Sequence, residues 1–222
     1  MEGIFVIGAD TNVGKTVFSA GLLKLAHGFR KTSYWKPVQT GTVLADDTAE
    51  VKSLTELTPE HYMEPTYRFP DPMAPRQASK KWGKEVDLQL IVSQFKSRSD
   101  KSRFVIVEGA GGLLVPMNDK QTQKDLIQLL GLPVIIVAED RIGAINHTLL
   151  TVEAARQAGI AIIGVVLSKS QGTLGNAESI HLFGKVEILA ELPISEDPRT
   201  VVAKVGTHPR LRELFGVPSI PG

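Results

Sequence analysis

The stretch Gly8-Ala9-Asp10-Thr11-Asn12-Val13-Gly14-Lys15-Thr16 gathers two glycines, a lysine and two threonine hydroxyls into one short loop. That combination suits a polyphosphate. Successive backbone N–H groups of a glycine-bearing turn face a concavity, a lysine ammonium reaches the outer phosphates, and a threonine hydroxyl ligates Mg²⁺. Asn12, Val13, Gly14, Lys15, Thr16 and Val17 are therefore the candidate nucleotide contacts. The usual pattern is Gly, four residues, then Gly-Lys-Ser/Thr. Here Ala9 stands where the first glycine belongs and Gly8 lies one place earlier, so the loop is a variant form. Two further groups could do chemistry at strand ends: Lys36-Pro37, followed by Val38-Gln39-Thr40-Gly41-Thr42, and Glu108-Gly109-Ala110-Gly111-Gly112.

These residues need elements to position them. The apolar run 4–7 before the loop reads as a strand and 17–26 after it as a helix, the context a phosphate loop requires. Residues 32–36 read as a second strand, stopped at Pro37, which cannot donate to a ladder. Residues 38–42 then read as a loop at that strand's C-terminal end, where open α/β sheets hold ligand groups. Asp46-Asp47-Thr48 opens a helix with Val51, Leu54 and Leu57 on one face. From 58 to 82 the periodicity fails among Pro59, Pro65, Pro70, Pro72 and Pro75, which predicts a long ordered loop without helix or strand.

Beyond it the pattern alternates. A helix over 87–95 precedes a buried strand at 104–107, and a helix over 125–130, ended by Gly131, precedes a strand at 133–138. Then come a helix over 146–157, a strand over 160–167, a helix near 176–183 and a short strand at 186–189, and the tail beyond Leu192 is only weakly patterned. Alternation of buried strands with helices predicts an α/β fold: one P-loop NTPase-type domain over 1–222, three-layered, its mostly parallel sheet covered by helices on both faces.

Composition narrows the partners. The 222 residues, 42% of them hydrophobic, suffice for one sizeable core. A net charge of +1, from 25 basic and 24 acidic residues, offers no broad polyanion-binding surface and argues against nucleic acid. The absence of cysteine rules out disulfides, thiolate metal sites and cysteine nucleophiles, and fits a reducing compartment. No cleavable leader pattern opens the chain and no apolar run approaches the ~18 residues of a membrane span. The expectation is a cytoplasmic protein with no membrane partner.

The variant loop, Lys36-Pro37-Val38 and Glu108-Gly109-Ala110-Gly111-Gly112 stand in an order and spacing that closely resemble the dethiobiotin synthetase family. Further matches are Pro72-Met73-Ala74-Pro75 and Gly143-Ala144-Ile145-Asn146-His147-Thr148-Leu149-Leu150-Thr151, and the resemblance runs from Ile4 to about Leu192. It implies that 7,8-diaminopelargonic acid, CO₂ or bicarbonate, and Mg-ATP give dethiobiotin, ADP and phosphate, through a carbamate and a carbamic-phosphoric mixed anhydride. Lys15, Lys36 and Thr11 are then the catalytic residues. Mg²⁺, which prefers hard oxygens and keeps several waters, is assigned Thr16, Asp47 and Glu108, with Asp46 the alternative to Asp47 because either caps the helix equally well.

For the substrate, the resemblance implies that Thr11, Lys36, Gln39, Thr40 and Gly41 orient the amines, Pro72, Met73 and Ala74 wall the alkyl chain, and Gly111 borders the site. The tail carboxylate would bind at the helix start around Asn146 to Thr148, where free N–H groups favour an anion. Gly143, Ala144 and Asn146 are further substrate residues of that segment, which the resemblance draws from the neighbouring subunit, making the protein a homodimer with its substrate site at the interface. Pro193 resembles the family's backbone contact to the base. Ser168 stands where the family commonly has asparagine, and a hydroxyl matches adenine less well than a carboxamide, so other nucleoside triphosphates are open as co-substrates.

A regulatory P-loop ATPase or GTPase switch is the alternative reading. A switch GTPase would carry Asn-Lys-x-Asp where Leu167-Ser168-Lys169-Ser170 stands, and Asp-x-x-Gly at Glu108-Gly109. A membrane-cycling ATPase would carry a second loop lysine and a basic amphipathic tail, and a glutamine amidase a nucleophilic cysteine. The sequence has none of these features.

Overall fold

The computed structural model describes residues 3–98 and 103–217. Four consecutive apolar residues at 4–7 cannot leave one face in water, and all six residues of β1 (Gly3–Gly8) are buried. The same physics shapes β2 (Thr32–Trp35), β6 (Phe104–Gly112) and β7 (Val134–Glu139), whose apolar portions are buried on both faces. With β4 (Tyr62–Met63), β8 (Ile162–Ser170) and β9 (Ile188–Pro193) they make a seven-stranded sheet in the order β4-β2-β6-β1-β7-β8-β9. Every pairing between its strands is parallel. Parallel sheets need cover on both sides, and successive side chains of a strand point to opposite faces. Tyr34 and Trp35 accordingly enter different apolar layers.

On one face lie α1 (Lys15–His27), α2 (Asp47–Thr55), α8 (Pro198–Thr207) and α9 (Pro209–Leu214), which enclose Val6, Phe18, Leu22, Tyr34, Val51, Ile106 and Val205. On the other lie α4 (Leu88–Arg98), α5 (Gln123–Leu130), α6 (Ala144–Gln157) and α7 (Asn176–Gly184), around Phe5, Trp35, Ile91, Phe95, Leu126, Val152 and Ile180. The chain leaves β1 toward β2 on one side and later adds β7 on the other, so the strand order reverses beside β1. Ligands of such sheets bind at the C-terminal strand ends next to that reversal. Gly8, at the end of β1, begins the phosphate loop there.

The structure corrects four expectations. Residues 38–42 are not simply a loop: β3 (Val38–Thr40) pairs in parallel with β5 (Tyr67–Phe69) as a separate two-stranded sheet. The 58–82 segment is not free of regular structure. It holds β4, β5 and α3 (Pro75–Trp82), where Pro75 occupies the first turn, the one helical position proline suits, and Ala74 before it is extended. Two- and three-residue strands are too short to show a period, and the prolines hid the helix. The weakly patterned tail forms α8 and α9, each with proline in its first turn, α8 being capped by the Asp197 carboxylate accepting from Arg199 N at 2.9 Å. Residues 218–222 of that tail lie outside the described residues. Finally, α6 starts at Ala144 with Gly143 as its cap, two residues earlier than the pattern indicates.

Candidate active site

The loop between β1 and α1 explains its own variant spelling. A Cβ on Gly8 would sit 2.3 Å from the Asp10 carbonyl oxygen, so this is the position that must lack a side chain, while Ala9 packs on the apolar layer below. Gly14 caps α1 without a side-chain partner, and the first turn of α1 carries no carboxylate. The N–H groups of that helix start thus meet no side-chain cap and no carboxylate of their own helix, which leaves its partial positive charge to be met by a ligand. The Val13 side chain is buried in the core and its carbonyl accepts from the Ser168 hydroxyl at 2.7 Å. Lys15 is buried, its Nζ 3.4 Å from the Asp10 carbonyl. Burial pushes its ammonium below the ordinary lysine value, against the pull of Glu108.

Beside the loop, Lys36 leaves the end of β2 with 6% exposure, and a charge so buried requires partners. Its Nζ lies 2.5 Å from Asp47 Oδ2 and 3.1 Å from Glu108 Oε1. Burial alone would lower its pKa, but Glu108 and Asp47 outweigh that and hold it above the ordinary value. For Asp47 the balance is the mirror image: burial would raise it, and Lys36, acting by charge and hydrogen bond, holds the carboxyl below its ordinary value. The Thr16 hydroxyl lies 2.9 Å from Asp47 Oδ1 and 3.0 Å from Glu108 Oε1. The Tyr34 hydroxyl donates to Glu108 Oε2 at 3.1 Å, and burial together with the charge of Glu108 keeps that phenol protonated.

These oxygens fit Mg²⁺. An octahedral ion with ligands at 2.0–2.1 Å sets neighbouring oxygens ~3 Å apart, the separation seen from Thr16 Oγ1 to Asp47 Oδ1 and to Glu108 Oε1. Among the described residues no three His, Cys, Asp or Glu side chains converge as a cage. Two carboxylates and a hydroxyl match the small protein share that Mg²⁺ takes.

A cleft of about 610 Å³ opens over this cluster, and most of the expected residues line it: Thr11, Asn12, Gly14 to Val17, Lys36, Thr40, Gly41, Asp47, Pro72 to Ala74, Glu108 and Gly111. Gln39 does not line it. Its carboxamide is fully buried, accepting from Asp47 N at 3.2 Å and donating to the Thr40 carbonyl at 2.9 Å, so it braces the start of α2. The two aspartates divide: Asp46 caps α2 by accepting from Ala49 N and pairs with Arg68, while Asp47 faces Lys36. Gly143, Ala144 and Asn146 lie outside the cleft, although their segment reaches the loop through Arg141, 2.9 Å from Asp10 Oδ2. Ser168 and Pro193 are also outside it, and the Ser168 hydroxyl is turned to the Val13 and Ala138 carbonyls.

Two other site residues stand at spacings that could have found them: Tyr34 is two residues before Lys36, which directly follows β2, and Glu50 is three after Asp47 on one helix, so each pair shares a face. Glu50 stands at the cleft rim, its carboxyl pushed up by partial burial and by Asp47 and Glu108. Gln123 has no local signal: from α5 it accepts from Ala110 N at 2.7 Å and donates to the Gly112 carbonyl, which fixes the glycine run.

A family model described as "AAA domain" matches residues 2–199. The chain is 37% identical to the ATP-dependent dethiobiotin synthetase BioD of Paramagnetospirillum magneticum over 86% of this chain and 88% of that protein. To the protein of that name from Lawsonia intracellularis it is 36% identical, over 95% and 98%, and to that from Bacillus licheniformis 39%, over 89% and 88%. The MinC:MinD cell division complex of Aquifex aeolicus superposes with a TM-score of 0.61 at 14% identity, covering 100% of this chain and 98% of that one. MinD of Pyrococcus horikoshii, in complex with Mg-ADP, gives 0.56 at 19% identity over 96% and 92%. The solved structures share the fold. The curated relatives match along nearly the whole chain, and the chain belongs to the family of ATP-dependent dethiobiotin synthetases.

Proposed function

We propose that this protein catalyses the ATP-dependent carboxylation and ring closure of 7,8-diaminopelargonic acid to dethiobiotin in biotin biosynthesis, as a ligase. The observation that carries this reading is the buried Lys36, held between Asp47 and Glu108 beside Thr16 at the floor of an open cleft. One substrate amine attacks CO₂, forming an N–C bond and losing a proton to give a carbamate. A carbamate oxygen then takes the γ-phosphoryl group as the bond to ADP breaks, and the second amine attacks the activated carbon, expelling phosphate and closing the cyclic urea.

Phosphoryl transfer rests on positioning and charge neutralisation. Lys15 and the loop N–H groups hold the phosphates, and Lys36 faces the carbamate and the transferred group. Thr16, Asp47 and Glu108 would hold Mg²⁺, which would supply charge neutralisation for the transferred phosphoryl group. Thr11, Thr40, Gly41 and Gly111 border the reacting amines, and Pro72, Met73 and Ala74 the alkyl chain. Gly143, Ala144 and Asn146 serve the neighbouring subunit's site in a homodimer, which agrees with their place outside the cleft of their own chain. Ser168 and Pro193 are the residues assigned to the base; with the Ser168 hydroxyl turned to the Val13 and Ala138 carbonyls, no carboxamide meets adenine there, and nucleoside triphosphates other than ATP are open as co-substrates. The domain spans 1–222 and works in the cytoplasm; no helix among the described residues is long and apolar enough to cross a membrane.

The test is phosphate release from each nucleoside triphosphate, with Mg²⁺ and bicarbonate, with and without the diamine, and with the product identified by mass. Release that requires the diamine and yields dethiobiotin is expected. Release indifferent to it would favour a regulatory nucleotide hydrolase.

A further inference from the structure

Glu108 divides its two oxygens between two environments. Oε1 lies on the cleft side, 3.0 Å from the Thr16 hydroxyl and 3.1 Å from Lys36 Nζ. Oε2 points the other way and accepts the Tyr34 hydroxyl at 3.1 Å. Both residues are buried, with Glu108 at 1% exposure and Tyr34 at 0%. The Tyr34 ring belongs to the apolar layer that holds Val51, Leu54, Phe104 and Ile106, so the phenol has no room to swing aside. Turning Glu108 to present both oxygens to one cation would strip a buried hydroxyl of its partner, which the low-dielectric interior penalises.

Carboxylate denticity separates the two common hard cations. Mg²⁺ takes six oxygens in near-ideal octahedral geometry, whereas Ca²⁺ takes six to eight and readily binds both oxygens of one carboxylate. Asp47 is constrained in the same sense, Oδ1 lying toward Thr16 and Oδ2 toward Lys36. We propose that Tyr34 determines the metal specificity of the site: by occupying Oε2 it restricts Glu108 to one-oxygen ligation and so selects Mg²⁺ over Ca²⁺. Tyr34 is a positioning residue, acting through Glu108, and the inference rests on reading Glu108 as a metal ligand.

The experiment is calorimetric titration of Mg²⁺ and of Ca²⁺ into the protein saturated with the β,γ-imido analogue of ATP. Tyr34→Phe removes only the hydroxyl and should shift the ratio of Mg²⁺ to Ca²⁺ affinity toward Ca²⁺ by about tenfold, in line with the loss of an outer partner of a ligand. A folded Tyr34→Phe protein with an unchanged ratio overturns the proposal. If that variant does not fold, infrared difference spectra of the unaltered protein decide: the Glu108 carboxylate, identified by subtracting Glu108→Gln spectra, should show the wide stretch separation of one-oxygen ligation with Ca²⁺ as well as with Mg²⁺, because Tyr34 holds Oε2 from either cation. A chelating pattern overturns the proposal. Glu108→Gln also tests the ligand reading by itself. Retained Mg²⁺ affinity there removes that reading and the inference together, whereas lost affinity with an unchanged Tyr34→Phe ratio removes the inference alone.

Discussion

Two lysines near the phosphate loop are buried, and their surroundings give them different tasks. Lys36 sits between two carboxylates and stays charged because Glu108 and Asp47 outweigh the cost of burial. Lys15 has one described hydrogen bond, a long one to the Asp10 carbonyl, and burial lowers its pKa. A cation so loosely held inside the protein is ready for an external anion. Lys15→Ala should therefore lower kcat for diamine-dependent phosphate release by about 10²–10³-fold, the usual cost of one preorganised charge-stabilising donor. Its melting temperature should stay near that of the parent, because little internal bonding is lost. Steady-state kinetics and thermal melts check both halves, and a variant with full turnover would remove Lys15 from the phosphates. Thr16, Lys15 and Gly14 could be read directly from the sequence, since their motif is local. Gln39 could not: Thr40 and Gly41 after it line the cleft, yet its own side chain turns back to brace Asp47.

At the scale of elements, the site depends on how α1 is seated. Gly21 lies in the middle of α1, where glycine is otherwise a weak choice. A Cβ there would come within 2.5–2.9 Å of the Val205 side chain on α8, so the bare position lets the two helices approach. Gly21→Ala should destabilise the protein by about 1–3 kcal/mol, the range for overpacking, read as a lower urea midpoint at unchanged slope. Adding Val205→Ala should recover part of that loss, and a lack of coupling between the two changes would show that the helices do not meet there. The sequence held Gly21 in plain view, but the partner that explains it is in a tail whose pattern is too weak to read as helix. The 58–82 segment behaves alike. Its prolines argue against regular structure locally, yet Pro75 begins α3 and the neighbouring Pro72 to Ala74 form a wall of the cleft.

For the molecule as a whole, the sheet's reversal beside β1 collects Lys15, Lys36, Asp47 and Glu108 from separate parts of the chain, and their charges couple fold stability to the site. Asp47 has a folded pKa below its unfolded value of 3.8, so its contribution is fully present above pH 3.8 and is lost as pH falls through the folded value. Lys36 has a folded pKa above 10.5, so its contribution is fully present below pH 10.5 and is lost as pH rises through the folded value. The pair should leave stability flat across the neutral range. In urea melts, Asp47→Asn should be destabilised relative to the parent at pH 7, with the gap closing as pH falls below about 3.8, the unperturbed carboxylate range. A gap that stays constant down to acid unfolding would show that Asp47 does not pair with Lys36 in solution.

By itself the sequence determined what is encoded over a few residues: buried strands from unbroken apolar runs, helices from their period, and a phosphate loop from Gly14-Lys15-Thr16 after a strand. It also showed that Ala9 breaks the usual spelling of that loop. Tertiary structure alone decided what depends on the path of the backbone and on residues far apart in the chain. The Asp10 carbonyl leaves no space for a side chain on Gly8, the Arg68 partner and the Ala49 cap leave Asp47 rather than Asp46 facing Lys36, and Tyr34 meets Glu108 across 74 positions of sequence. Propensity and period act within a helix turn or a strand, whereas the energy of a buried charge is fixed by whichever groups the fold brings within hydrogen-bond reach.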